Sequence, residues 1–107
     1  MYTSDGAFKC VGFLNSAHKG AVYSVHCPHA SAGHGRIASV GADDNLNIYR
    51  EVTNGATSDK PLFDLDISVN GAHSGEVNCV RWNPRDGSLL ATTGDDGVVK
   101  LWNYLLR

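Results

Sequence analysis

Two sets of side chains in this sequence have the types that move protons or build a nucleophile: His18, Ser39 and Asp43 in the first half, and His73, Thr92 and Asp96 in the second. An imidazole between a hydroxyl and a carboxylate is the arrangement of a nucleophile relay, in which the carboxylate orients the ring and the ring takes the hydroxyl proton. The adjacent carboxylates Asp43-Asp44 and Asp95-Asp96 have the types of a general acid and a general base. A third cluster, His26-Cys27-Pro28-His29 with His34 five residues on, offers imidazole and thiolate donors of the kind that hold zinc. A metal-assisted hydrolase using the turn from His26 to His34 is therefore the remote enzymatic reading.

Plainer readings outweigh each of these. The relay types occur twice at matching places, which suits a structural requirement better than a duplicated active site. Both acidic pairs fall in tight turns between strands, where turn-forming carboxylates are common. The metal cluster has one local cysteine, and Cys27 aligns with Trp82, a packed strand position. Cys10, Cys27 and Cys79 are too few for an iron–sulfur site of four thiolates and read as reduced, buried thiols. No catalytic residue, metal ligand or cofactor is expected.

The elements that position these residues come from an internal repeat. Ala17-His18-Lys19-Gly20-Ala21-Val22-Tyr23-Ser24-Val25 returns as Ala72-His73-Ser74-Gly75-Glu76-Val77-Asn78-Cys79-Val80, displaced by 55 positions. The segment from Ile37 to Asp44 returns as Leu90 to Gly97, displaced by 53, so the length difference falls in the turn between them. A period of this order built from short strands points to a propeller or solenoid. The β-branched and aromatic runs Val22–Cys27, Arg36–Val40 and Leu46–Arg50 predict three strands, and Val77–Trp82, Leu89–Thr93 and Val98–Asn103 predict their counterparts. Leu62–Ile67 predicts a fourth strand, and Phe8–Phe13 its equivalent at the start. Val52–Lys60 is polar and reads as a surface loop. No window has a helical period.

These residues resemble the WD-repeat family: His73, Val77-Asn78-Cys79-Val80-Arg81-Trp82-Asn83-Pro84, Leu90-Ala91-Thr92, Asp96 and Trp102-Asn103 match its pattern, and the first unit keeps His18, Ser39 and Asp43 but closes with Tyr49-Arg50. The resemblance implies an all-β chain of about two propeller blades, an incomplete ring that is not closed. It implies an outer strand of a preceding blade at 1–14, one repeat at 15–69 with its polar loop at 52–60, and a C-terminal repeat at 70–107 lacking its outer strand. It also implies a buried hydrogen-bonded chain in each blade, formed by His73, Thr92, Asp96 and Trp102 and by His18, Ser39, Asp43 and Tyr49. Within the family the chain is most similar to the C-terminal blades of the adaptors of cytosolic iron–sulfur assembly. That likeness implies a scaffold that docks subunits of the targeting complex and helps deliver clusters to apo client proteins. A WD-repeat subunit of a coat, nuclear pore or chromatin complex is the competing reading.

Composition narrows the partners. The formal net charge is −2 and the nine Lys and Arg are scattered, so neither nucleic acid nor an anionic membrane surface is expected. No apolar stretch approaches the roughly 18 residues of a membrane span, and the start lacks a signal-peptide layout. The expected setting is the cytoplasm, with the nucleus as a further compartment. Arg36, Arg81 and Arg85 are candidate partner-facing residues, since arginine is favoured where partners dock. Two repeats leave edges and faces uncovered, so the isolated chain is expected to be marginally stable and to self-associate or be completed by another chain.

Overall fold

Short β-branched runs broken by Gly- and Asp-containing turns fold as seven antiparallel strands among the residues that this computed structural model describes, which are 8–14, 18–28, 35–57 and 60–104. They are β1 (Val22–His26), β2 (Arg36–Gly41), β3 (Leu46–Thr57), β4 (Lys60–Val69), β5 (Val77–Trp82), β6 (Leu89–Gly94) and β7 (Val99–Asn103). The first four form one sheet in sequence order and the last three form another. The chain is thus all-β, with two successive sheets that are blades of a propeller, four-stranded blade 1 and three-stranded blade 2.

The repeat is visible in backbone detail. The β1–β2 pairing shifts register between Val22 and Ser24, and the β5–β6 pairing shifts between Val77 and Cys79, 55 residues later. The hairpin turns match as well: Asp44 has φ 67° and Gly97, 53 residues on, has φ 76°. This left-handed position suits glycine, and Asp is among the few other residues that adopt it readily.

The core lies between the two sheets. Ala38, Val40, Leu46 and Ile48 of blade 1 meet Ala72, Val77, Val80, Trp82, Leu90 and Tyr104 of blade 2, with Ile67, Val69 and Trp102 packed at the margin. Alternation along each strand sends these residues to the shared seam and their neighbours to the opposite face. Each fully buried aliphatic side chain contributes about 1.5–3 kcal/mol, so the seam is the main source of stability joining the blades.

Three expectations need correction. Residues 8–14 form no strand, and Phe8 and Phe13 are exposed. The span from 52 to 60 is not a plain loop: β3 runs on to Thr57 and β4 begins at Lys60, with Thr57 opposite Lys60. Polar composition does not prevent this, because a hairpin ladder uses backbone groups, and Val52, Thr53 and Thr57 are β-branched. Of the cysteines, Cys10 and Cys27 are exposed and only Cys79 is half-buried. Cys27 stands just past the end of β1, where the matching Trp82 is sandwiched in the seam.

Candidate functional site

The polar side chains that invited a catalytic reading are brought together in each blade. In blade 2, His73 Nδ1 lies 3.0 Å from Asp96 Oδ1, its Nε2 lies 2.7 Å from Thr92 Oγ1, and Trp102 Nε1–H donates to the same hydroxyl oxygen at 2.8 Å. A carboxylate only accepts, so Nδ1 carries the proton; Nε2 then accepts from the Thr92 O–H, and the Thr92 oxygen accepts from the indole. Asp96 also accepts from the amides of Ser74 (3.0 Å) and Val98 (3.1 Å). Gly94 is needed beside this chain, since a Cβ there would sit 2.8 Å from the His73 ring.

In blade 1, Asp43 Oδ1 lies 2.8 Å from His18 Nδ1, and Ser39 Oγ lies 2.8 Å from His18 Nε2. The amides of Lys19 and Asn45 donate to Asp43 at 3.0 and 3.3 Å. Tyr49 does not close this chain as Trp102 closes the other. Its hydroxyl accepts from Asn47 Nδ2 at 3.2 Å, and Asn47 Oδ1 accepts from Ser68 at 2.7 Å.

Neither set has the layout of a working nucleophile. His73 and Thr92 are buried, and every polar group of the chain is committed to another member or to a turn amide. In blade 2 the other carboxylate of the acidic pair is also engaged: Asp95 accepts from Asn78 Nδ2 at 2.8 Å.

The seam holds residues that sequence reasoning placed elsewhere. Arg36, expected at a partner-facing rim, is only 5% exposed. Its guanidinium carbon lies 5.0 Å from the Trp82 ring centre and 4.9 Å from that of Tyr104, which themselves meet edge to face at 5.9 Å. Cation–π attraction is strongest when the cation is desolvated, and alternation along β2 turns Arg36 inward with Ala38 and Val40. Its Nη1 is buried without a hydrogen-bond partner among the described residues. Tyr104 donates to the Asp66 carboxylate. Its place was readable from alternation, two residues beyond Trp102 on the same face. Arg81 and Arg85 are exposed.

His26, read as a metal-ligand candidate, instead joins the blades. Its Nδ1 accepts from the Trp82 amide at 2.8 Å, and its carbonyl accepts from the Trp82 indole N–H at 3.2 Å. Two residues earlier, Ser24 Oγ accepts from the Val80 amide at 3.3 Å. The side chains of β1 thereby satisfy the inner backbone edge of β5. Among the described residues no group of three or more His, Cys, Asp or Glu is placed to hold a metal; His29 and His34 lie outside the described residues.

These contacts make stability pH-dependent in a definite order. Burial, then the Arg81 charge, hold the His26 imidazole below its usual value. Burial alone would raise the Asp43 carboxyl, but hydrogen bonds from His18 and the amides of Lys19 and Asn45 outweigh it and hold it below the ordinary carboxylate value. The Ser74 amide does the same for Asp96, helped by His73 and the Val98 amide against partial burial. A depressed folded value contributes stability above the unfolded value, which is lost as pH falls through the folded one. The His26 contribution is thus complete above about pH 6.5 and the carboxylate contributions above about pH 4. Burial and the Asp66 bond push Tyr104 up, which weakens the fold as pH climbs beyond about 10. Thermal melts across pH are expected to fall in two stages on acidification; His26→Ala removes the upper stage, and Asp43→Asn with Asp96→Asn removes the lower. A melting temperature unchanged from pH 7 to pH 3 would contradict this.

Antiparallel blades stacked face to face, each threaded by a His–hydroxyl–Asp chain, define a WD-repeat propeller module. The family pattern of the WD domain, G-beta repeat, matches residues 61–103, so the chain carries a WD repeat there. It is similar to the Nematostella vectensis protein named "Probable cytosolic iron-sulfur protein assembly protein CIAO1 homolog", 40% identical over 97 residues, covering 91% of this chain and 28% of that one. It is also similar to two further proteins of that name: ciao1-A of Salmo salar at 37% identity, and CIAO1 of Homo sapiens at 35%. Each of these alignments spans 101 residues, 94% of this chain and 29% of the relative. The chain therefore spans less than a third of the length of the curated relatives it matches.

Proposed function

We propose that this chain is part of a propeller adaptor in cytosolic iron–sulfur cluster targeting, docking partner subunits and helping to deliver clusters to apo client proteins. The observation that carries the reading is 35–40% identity, over more than nine-tenths of the chain, to relatives named for cytosolic iron–sulfur protein assembly. Residues 15–69 and 70–107 act as its two repeat units, and its setting is the cytoplasm. It works by binding rather than by catalysis, since the imidazoles, hydroxyls and carboxylates with catalytic types are engaged in holding the blades. The cluster is cargo of the assembly and is not ligated by this chain. Exposed Arg81 and Arg85 serve the partner-facing surface; Arg36 does not.

Affinity capture with the tagged protein from cell extract tests the reading. Enrichment of iron–sulfur assembly factors is expected. Recovery of coat, pore or chromatin subunits without such factors would move the chain to another WD-repeat complex.

A further inference from the structure

Five dipeptides in this chain join Asn or Asp to Gly, the pairing that sets a side-chain carbonyl carbon beside a backbone nitrogen with no Cβ to shield it. Asn54-Gly55 lies within the extended backbone of β3, and Asp5-Gly6 lies outside the described residues. Asp86 and Asp96 are tied down by their own turns. Asp86 accepts from the Ser88 amide at 2.9 Å and from its hydroxyl at 2.6 Å, and Asp96 accepts from His73 and from the Ser74 and Val98 amides. At neutral pH both are carboxylates, which resist attack by a nucleophile. The remaining pair is Asn70-Gly71, in the connection from β4 to the polar chain of blade 2.

Nothing in the fold shields this pair. Asn70 and Gly71 are both exposed, and Gly71 has φ 64° with nothing within 4 Å of the place a Cβ would take. Among the described residues the Asn70 side-chain amide has no hydrogen bond, and the Gly71 N–H has none to another backbone group. The residues on either side are anchored. Val69 pairs with Leu46 in the β3–β4 ladder, and the Ala72 amide donates to the Asp44 carbonyl at 2.8 Å. Ala72 is fully buried, and His73 follows it into the chain with Thr92 and Asp96. Asn70-Gly71 is thus a short exposed strap between two fixed ends.

We propose that Asn70 is a site of self-modification, where the Gly71 nitrogen displaces the Asn70 side-chain amide to form a succinimide that water opens to isoaspartate. The bond that forms joins the Gly71 nitrogen to Asn70 Cγ. The Gly71 N–H loses its proton, the bond from Cγ to the side-chain nitrogen breaks, and that nitrogen leaves as ammonia. Water then opens the ring. Attack at the former main-chain carbonyl routes the chain through Cγ and gives isoaspartate, whereas attack at Cγ gives aspartate. Water is the one co-reactant. Both products place a carboxylate on a strap hydrogen-bonded to the turn that holds Asp43 and Asp44, where like charges repel. Isoaspartate also adds a carbon to the main chain between Val69 and Ala72. With both ends anchored, the longer strap displaces Ala72 and His73 and loosens the polar chain of blade 2.

Incubating the folded chain at mildly alkaline pH and mapping its peptides by mass tests this, with circular dichroism to verify the fold of each variant. Conversion of Asn70 from amide to acid is expected in the native chain, and the same peptide is expected to take up methyl groups from protein isoaspartyl methyltransferase. Asn70→Gln abolishes the conversion, because the longer side chain closes a less favourable ring. Gly71→Ala slows it several-fold, because a Cβ then stands beside the attacking nitrogen. The isoaspartyl form is expected to melt at a lower temperature than Asn70→Asp, which carries the same charge on a main chain of ordinary length. An Asn70 amide that persists in the native chain overturns the proposal, as does conversion seen only in urea or confined to Asn54. Gly71→Ala converting as fast as the unmodified chain also overturns it. An isoaspartyl form that melts with Asn70→Asp overturns the loosening of blade 2.

Discussion

Trp82→Ala is expected to lower the stability of the folded chain by about 3–5 kcal/mol, the range for emptying a buried aromatic site. Trp82 ends β5 inside the seam, where its indole packs edge to face on Tyr104 and lies under the Arg36 guanidinium. Truncation removes that ring and the indole N–H bond to the His26 carbonyl. It also leaves Arg36 with one aromatic neighbour in place of two, in a site where Nη1 already has no hydrogen-bond partner among the described residues. The marginal stability of a chain this size is on the order of 5–15 kcal/mol, so the variant loses a large share of it. Urea unfolding measures the effect as a drop in the midpoint. Trp82→Phe separates the contributions: it keeps most of the packing, loses the indole donor, and is expected to cost about 1–2 kcal/mol. A Trp82→Ala midpoint close to that of the unmodified chain would show that the seam does not hold the blades together.

The repeat explains what was legible in the sequence. β5 has the same bounds in the structure as in the sequence reading, because Val77–Trp82 is a β-branched and aromatic run stopped by Asn83-Pro84. His18 and His73, Ser39 and Thr92, and Asp43 and Asp96 recur at matching offsets, and the structure brings each trio together. Where the two repeats differ, sequence matching loses its hold. Tyr49 stands at the place of Trp102 but pairs with Asn47, since residue type sets reach as well as chemistry. Arg36 is at the place of Leu89, and arginine composition suggested a rim. Two aromatic faces supplied by a later repeat make its burial tolerable, and that pairing is visible only once the blades are stacked. His26 was hidden by its neighbours: beside a cysteine and two more histidines it looked like a ligand, whereas its partner is a backbone amide 56 residues away.

The difference between the two polar chains yields the second large effect. Thr92→Val keeps the side-chain shape and removes one oxygen that serves two partners, the His73 Nε2 and the Trp102 N–H. Both groups remain next to a core position with no access to water, and each stranded polar group costs about 1–3 kcal/mol. The expected loss is therefore about 2–4 kcal/mol, large for a nearly isosteric change. In blade 1 the hydroxyl of Ser39 serves His18, and the ring that could have been its second partner is engaged with Asn47. Ser39→Ala strands one group rather than two and is expected to cost about 1–2 kcal/mol. A double-mutant cycle isolates the shared oxygen. Once Thr92 is valine, Trp102→Phe should cost less than it does in the unmodified chain, because its indole donor has already lost its acceptor. Chemical unfolding of the four proteins in the cycle gives the coupling directly. Strictly additive losses would mean that the Trp102 N–H does not depend on Thr92, and that the blade 2 chain ends at the Thr92 hydroxyl, as the blade 1 chain does at Ser39.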